Sequence, residues 1–268
     1  MPKRSGVWAA AAMAFAVFAL AGLRILSILT DDRENRTAVS EVREIFTSAV
    51  AESDVTESAV TESAITESAV AESGATGRPS TMPQNIRSPL DRLRDINPDI
   101  VGWIRIPGTS VDYPVVQGRD NTFYLTHDVK RQKNRNGSIF LDYRNIPGAD
   151  RHLILYGHNM KNGAMFAELL RYESRSFLAR HPVVELTLLG DQTRWEIFSV
   201  HFTDVRHDYI RVDFTGDDDF KAFVDDLASR SLHPARVRPN ENDTILTLST
   251  CSARGEDSRF AVHARLLR

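Results

Sequence analysis

Eight short apolar or alternating runs between Trp103 and Leu266, set apart by turn residues, limit what this chain can fold into. Trp103-Ile104-Arg105-Ile106 alternates and stops at Pro107-Gly108. Residues 111–116 form a second run, and Pro114 within it has no N–H to give to a ladder, which suits an edge or a bulge. Asn136-Gly137 reads as a turn before residues 138–141, and residues 153–156, 183–189, 195–202, 244–250 and 260–266 complete the set. The pattern predicts a mainly β domain, a barrel or a sandwich.

Three helices are expected beside the strands. Ser88-Pro89 has the form of an N-cap followed by proline in the first helical position, with Asp91 at N3. Leu90, Leu93 and Ile96 give that helix one apolar face, and Asn97-Pro98 ends it. A second helix is predicted over residues 165–179. A third follows Gly216, with Asp217, Asp218 and Asp219 in its first turn, where the helix dipole favours acids. Its Phe220, Phe223, Val224 and Leu227 recur at helical spacing and read as core packing. The folded domain is assigned to residues 86–268.

Lys3 and Arg4 precede residues 7–23, which carry no charge, and after Arg24 the apolar run resumes to Leu29. An arginine near a helix end can reach the interface with its long side chain. Residues 7–29 are therefore expected to cross the cell membrane, with residues 1–6 as a cytoplasmic tail and the rest of the chain extracellular. A cleaved signal peptide is the competing reading, since Ala19-Leu20-Ala21 fits a small-x-small site. Either way the domain is exported.

Residues 30–85 are predicted to be a disordered acidic spacer. Residues 31–76 hold eleven Asp and Glu against three Arg, within a chain whose net charge is only −3. From Ala51 the sequence repeats every five residues, as in Thr56-Glu57-Ser58-Ala59-Val60 and Thr61-Glu62-Ser63-Ala64-Ile65. Five residues advance about 500° around a helix, so Val and Ile form no single stripe, and the period is not that of a strand. A flexible coil of about 55 residues would span about 40 Å. No basic footprint for nucleic acid is present.

Cys251 is the only cysteine. Outside the cytoplasm it is an inert buried thiol, an intermolecular crosslink or a nucleophile. It ends Thr247-Leu248-Ser249-Thr250-Cys251, and Arg259 opens the last strand after residues 252–258. If the two strands form an antiparallel hairpin, Cys251 and Arg259 face each other with Cβ atoms about 5 Å apart. A guanidinium there favours the thiolate and can stabilise an oxyanion; taken alone, Arg259 reads rather as an ordinary solvated charge at a strand end. His158 follows the run Leu153-Ile154-Leu155-Tyr156-Gly157, where an imidazole can protonate a leaving amine, or simply hydrogen-bond a strand terminus. His201 and His207 with a single cysteine give no zinc spacing, so no metal site is expected.

Residues 153–159 around His158, the Thr-Leu-x-Thr-Cys run and Arg259 together resemble a sortase. Residues 96–104 and 106–109, residues 112–117 and residues 137–142 resemble class B sortases, and the match covers residues 89–268. The resemblance implies an eight-stranded sortase-type β-barrel and a cysteine transpeptidase without cofactor. Cys251 would attack the Thr carbonyl of a C-terminal sorting motif on a surface protein, Asn-Pro-x-Thr or similar. His158 would be the general acid and base, Arg259 would hold substrate and oxyanion, and an amine of a peptidoglycan precursor would resolve the thioester. Three substrate-binding candidates are secondary, and each also reads as a plain strand or core residue. Ser249 shares the strand face of Cys251 by period two. Thr250 belongs to the motif but points the other way. Tyr209 lies in the 206–243 stretch that walls the groove in that family. A thiol hydrolase using water shares these residues, although a papain-like context is absent. A non-catalytic anchored domain would instead keep its thiol unreactive.

Overall fold

The computed structural model describes residues 4–67, 88–252, 254–255 and 257–267, with side chains of the first stretch described from residue 13 to residue 52. The strands are β1 (Ile100–Arg105), β2 (Asp112–Val116), β3 (Ile139–Leu141), β4 (His152–Tyr156), β5 (Val183–Leu188), β6 (Asp191–Asp204), β7 (Ile245–Cys251) and β8 (Ser258–Leu266). They close into a barrel in the order β1-β2-β3-β4-β7-β8-β6-β5. Neighbours are antiparallel except β2 with β3 and β4 with β7, which are parallel. β3 meets β2 only at Val115 and Val116, so at Pro114 β2 has a single neighbour and its missing N–H is tolerated.

Alternation fills the barrel. Val184, Leu186 and Leu188 of β5 point inward, and Val183, Glu185 and Thr187 are less buried. They join Leu155, Leu246, Leu248 and Val262 in one interior cluster. Outside the barrel, α4 (Asp217–Ser229) lays Phe220, Phe223, Val224 and Leu227 over Phe198, Ile245 and Ala261. Helix α2 (Pro89–Arg94) has the expected cap: the Ser88 hydroxyl accepts from Asp91 N–H, and the Asp91 carboxylate accepts from Ser88 N–H.

Two expectations are corrected. The helix over residues 165–179 is two pieces, a 3-10 segment Ala167–Glu173 and α3 (Arg175–Arg180), broken at Ser174, whose backbone is extended. Buried Leu169 and Tyr172 lie three residues apart, the period of a 3-10 turn. The spacer, expected to be coil from residue 30, is helical through Glu67 as part of α1 (Arg4–Glu67), and its first part is docked on the domain. Residues 68–87, with the rest of the repeat, lie outside the described residues. The docked part precedes the five-residue repeat and carries a helical stripe that its acidity disguises: Ala38, Val42 and Ala49 are buried, with Ile45 and Phe46 packed beside them. Phe46 stacks on Trp103 with ring centroids 4.6 Å apart. Arg43 pairs with Asp112 at 3.0 Å, and Glu52 pairs with Arg92 of α2.

The N-terminal part of α1 is different. It is long and apolar enough to cross a membrane, and no part of its apolar window is buried. Phe15, Phe18 and Leu23 are exposed there, consistent with a membrane anchor.

Beneath α4 the outer faces of β4, β8 and β6 hold buried histidines. Thr247 bridges His152 at 2.6 Å and His263 at 2.7 Å, and His263 stacks on His201. Burial lowers His152 and His201 to about 4, and His263 well below 6.5. In the unfolded chain each titrates near 6.5. Below pH 6.5 the unfolded state therefore takes up protons that the folded state refuses. Stability is full above that pH and declines as pH falls toward 4, by about 1.4 kcal/mol per unit for each histidine. A urea midpoint that is the same at pH 7 and pH 5 would contradict this. The docked helix makes its own prediction: Phe46→Ala should cost about 2–3 kcal/mol in chemical denaturation, less than a fully buried ring because Phe46 is only partly covered.

Candidate active site

Strand register brings Cys251 and Arg259 together at the end of the barrel where the strand leading to His158 also stops. In β7 and β8, Cys251 pairs directly with Arg259, Ser249 with Ala261 and Thr247 with His263. In the parallel pair, Tyr156 of β4 lies beside Ser249 and Ile154 beside Thr247. Two residues further along both strands come His158 and Cys251. The chain has left the ladder by then, but Gly157 N–H still donates to Ser249 C=O at 3.2 Å. Strands in a sheet are about 4.8 Å apart, so the strand ends that carry His158, Cys251 and Arg259 form one row across three neighbours.

Cys251 belongs to the outer face of the barrel. Leu246 and Leu248 point into the interior, as does Phe260, the partner of Thr250. Thr247, Ser249 and Cys251 therefore share the opposite face. Along that face the cover thins: Thr247 lies in the histidine layer, Ser249 lies under Tyr209, and Cys251 is exposed. The thiol sits where the cover ends.

The secondary candidates separate. Ser249 is buried and shares a 2.8 Å hydrogen bond with the Tyr209 hydroxyl. Tyr209 packs with Phe198 and α4, and burial pushes its hydroxyl above the ordinary tyrosine value. Tyr209 thus covers Ser249, and neither forms an exposed groove wall. Thr250 is buried and inward-facing.

His158 is held from one side. Its Nε2 lies 2.7 Å from the Leu125 carbonyl, an acceptor, so Nε2 carries the proton and donates. Nδ1 is left to exchange a proton with a reacting group. Gly157 lets the strand end this way: a Cβ there would lie 2.4 Å from the Ile139 side chain and 2.8 Å from Phe166. Arg259 donates to the Ser258 carbonyl at 3.2 Å, which fixes the start of its guanidinium at the strand end.

Sequence reasoning gave no role to the network behind the row. Asp142 is fully buried and accepts from Arg144 at 2.7 Å, Tyr156 at 2.9 Å and Asn121 at 3.0 Å. Burial works to raise its carboxyl, yet the Arg144 and Tyr156 bonds hold it below the usual range. Arg144 also donates to the Ile210 carbonyl at 3.0 Å, tying the Tyr209 loop to β3. The Asn97-Pro98-Asp99 run acts similarly: Asn97 donates to the Val129 carbonyl and the Tyr124 hydroxyl, both at 2.9 Å, and Tyr124 donates to Asp99. These roles lie in contacts between distant segments, and only the likeness of both runs to class B sequences marked them.

A family model described as the sortase domain matches residues 104–267. Sortase B of Listeria monocytogenes is 31% identical over 254 residues, covering 94% of this chain and 92% of that protein. Sortase B of Staphylococcus aureus is 36% identical over 188 residues, 69% of this chain and 77% of that one. The solved Staphylococcus aureus sortase B–substrate complex aligns with a TM-score of 0.72 and 30% identity, over 89% of this chain and 99% of that chain. This chain belongs to the sortase family and, within it, to the class B sortases, cysteine transpeptidases of cell-wall sorting.

Proposed function

We infer that this protein cleaves surface proteins after the Thr of an Asn-Pro-x-Thr or similar C-terminal motif and joins them to an amine of a peptidoglycan precursor. Residues 7–29 anchor it in the cell membrane with residues 1–6 in the cytoplasm, and the domain of residues 86–268 works outside. The observation that carries the reading is the single row in which an exposed Cys251 lies opposite Arg259 and beside the strand end bearing His158.

In this mechanism the Cys251 thiolate adds to the Thr carbonyl carbon. The oxygen becomes an oxyanion, which the Arg259 guanidinium stabilises. Collapse breaks the C–N bond, and His158 gives its proton to the departing amine. The thioester remains on Cys251. The acceptor amine then adds to it and loses a proton to His158, and the thiolate leaves. One amide replaces another, so the exchange draws on no nucleotide.

The full chain in detergent micelles, offered peptides of the Asn-Pro-x-Thr type, should yield an acyl adduct on Cys251 detectable by mass spectrometry. Added amine nucleophiles should convert it to a peptide–amine product, and Cys251→Ala should abolish both. Release only by water would favour a hydrolase; no adduct with any peptide, together with no alkylation of Cys251, would end the catalytic reading. Arg259→Lys keeps the charge but loses the planar fork, and kcat is expected to fall about 100-fold while the adduct still forms slowly.

A further inference from the structure

The loop over residues 122–138 carries the carbonyl that holds His158, and α1 holds that loop. Leu125 ends the 3-10 turn Phe123–Leu125, and its carbonyl accepts from His158 Nε2 at 2.7 Å. Gly137 closes the loop in a left-handed conformation, φ 59°, directly against the same carbonyl: a Cβ there would lie 2.8 Å from Leu125 O and 2.5 Å from Tyr124 O. Ser138 N–H donates to Tyr124 C=O at 2.9 Å, and Asn134 N–H to Thr126 C=O at 2.9 Å. The two ends of the loop therefore move as one piece with the His158 acceptor.

Helix α1 reaches this piece through buried carboxamides. Asn35 donates from Nδ2 to Gly137 C=O at 3.2 Å. Asn134 donates from Nδ2 to Asp31 C=O at 2.8 Å, while its Oδ1 accepts from Asn136 N–H at 2.9 Å. Both side chains are almost fully excluded from solvent. A third link is the ion pair of Glu41 with Lys130. On the barrel side the loop is held by Asn97 through Val129 C=O. Asn35 and Asn134 thus complete a two-sided hold, and a buried carboxamide that spends its donor on a backbone carbonyl is costly to leave unpaired.

We propose that Asn35 and Asn134 are positioning residues for His158, so that the helix continuing from the apolar span is part of the apparatus that aims the acid–base group. The proposal rests on the reading of His158 as that group. Its geometry also orients the barrel. β3 runs antiparallel to β4, with Phe140 opposite Tyr156, so Gly137 lies at the end of the barrel where His158 emerges. Asn35 is six residues beyond Leu29, about 9 Å along a helix. The end of the barrel that carries Cys251 is consequently the end nearest the apolar span, while Phe46 and Glu52 dock further along α1 on Trp103 and α2.

The test compares wild type, Asn35→Asp, Asn35→Gln and Asn134→Ala as full chains in micelles, each shown to be folded at the assay temperature. Asn35→Asp is nearly isosteric but has no donor for Gly137 C=O. It should lower kcat for thioester formation about tenfold with KM almost unchanged, since a small misplacement of a reacting group is felt in the chemical step. The pH–rate profile should move with it, because the His158 Nε2–H bond is weakened. Asn134→Ala should act the same way, and Asn35→Gln, which keeps the donor, should recover most of the rate. Imidazole nitrogen NMR should find His158 as the Nε2–H tautomer in wild type and a mixture in Asn35→Asp. Wild-type kcat and pH profile in both loss variants, or a loss of rate that only follows the unfolded fraction, would overturn the proposal. If wild type itself forms no thioester, the transpeptidase reading falls instead. The His158 tautomer then decides the clamp by itself: the same Nε2–H signal in wild type and in both loss variants would overturn it.

Discussion

The register of three adjacent strands is the constraint on which the site depends. β4, β7 and β8 hold Tyr156, Ser249 and Ala261 side by side; the next step along β7 and β8 pairs Cys251 with Arg259, and the chain leaving β4 reaches His158. Because side chains alternate with a period of two, a slip of one residue in β7 would send Cys251 into the barrel and bring Thr250 out. The interior resists that slip. Leu246 and Leu248 would have to leave the core cluster, and Thr247 would lose both of its histidine partners. The core side of the strand therefore enforces the position of a thiol on its other side.

The outer face needs a cover that stops at the right place. Helix α4 and the Tyr209 loop close it over the histidine layer and over Ser249, then leave Cys251 open. The buried histidines are neutral at ordinary pH, so they add no charge behind the site. Asp142 and Arg144 set the edge of the cover by joining β3 to the Ile210 backbone. Helix α1 does the corresponding work on the other flank, where it holds the loop that meets His158.

Much of this was legible in the sequence. All eight strands overlap runs identified by alternation or apolarity, and the Ser88 cap has the bonding that its residues imply. The pairing of Cys251 with Arg259 followed from counting a hairpin. What escaped was helical order in the acidic segment. Composition weighs each charge equally, yet Arg43, Glu41 and Glu52 are spent on Asp112, Lys130 and Arg92, and the buried stripe of Ala38, Val42 and Ala49 is made of small residues that weigh little in an average. The helix over residues 165–179 failed for a different reason: apolar residues three apart serve a 3-10 turn as well as an α-helix, and only packing under the barrel decides between them.

By itself the sequence determined the local terms: which segments are strands, where an apolar helix can span a membrane, and that a Thr-Leu-x-Thr-Cys run ends in a lone thiol. These follow from periodicity and side-chain chemistry within a few residues. Only the tertiary structure decided which strands are neighbours, that Tyr209 covers Ser249, and that Asn35 reaches Gly137 across more than a hundred residues. The physical reason is that a hydrogen bond between distant segments leaves no periodic trace in either one. Its partners are set by barrel closure and by the burial of polar groups that must then find each other.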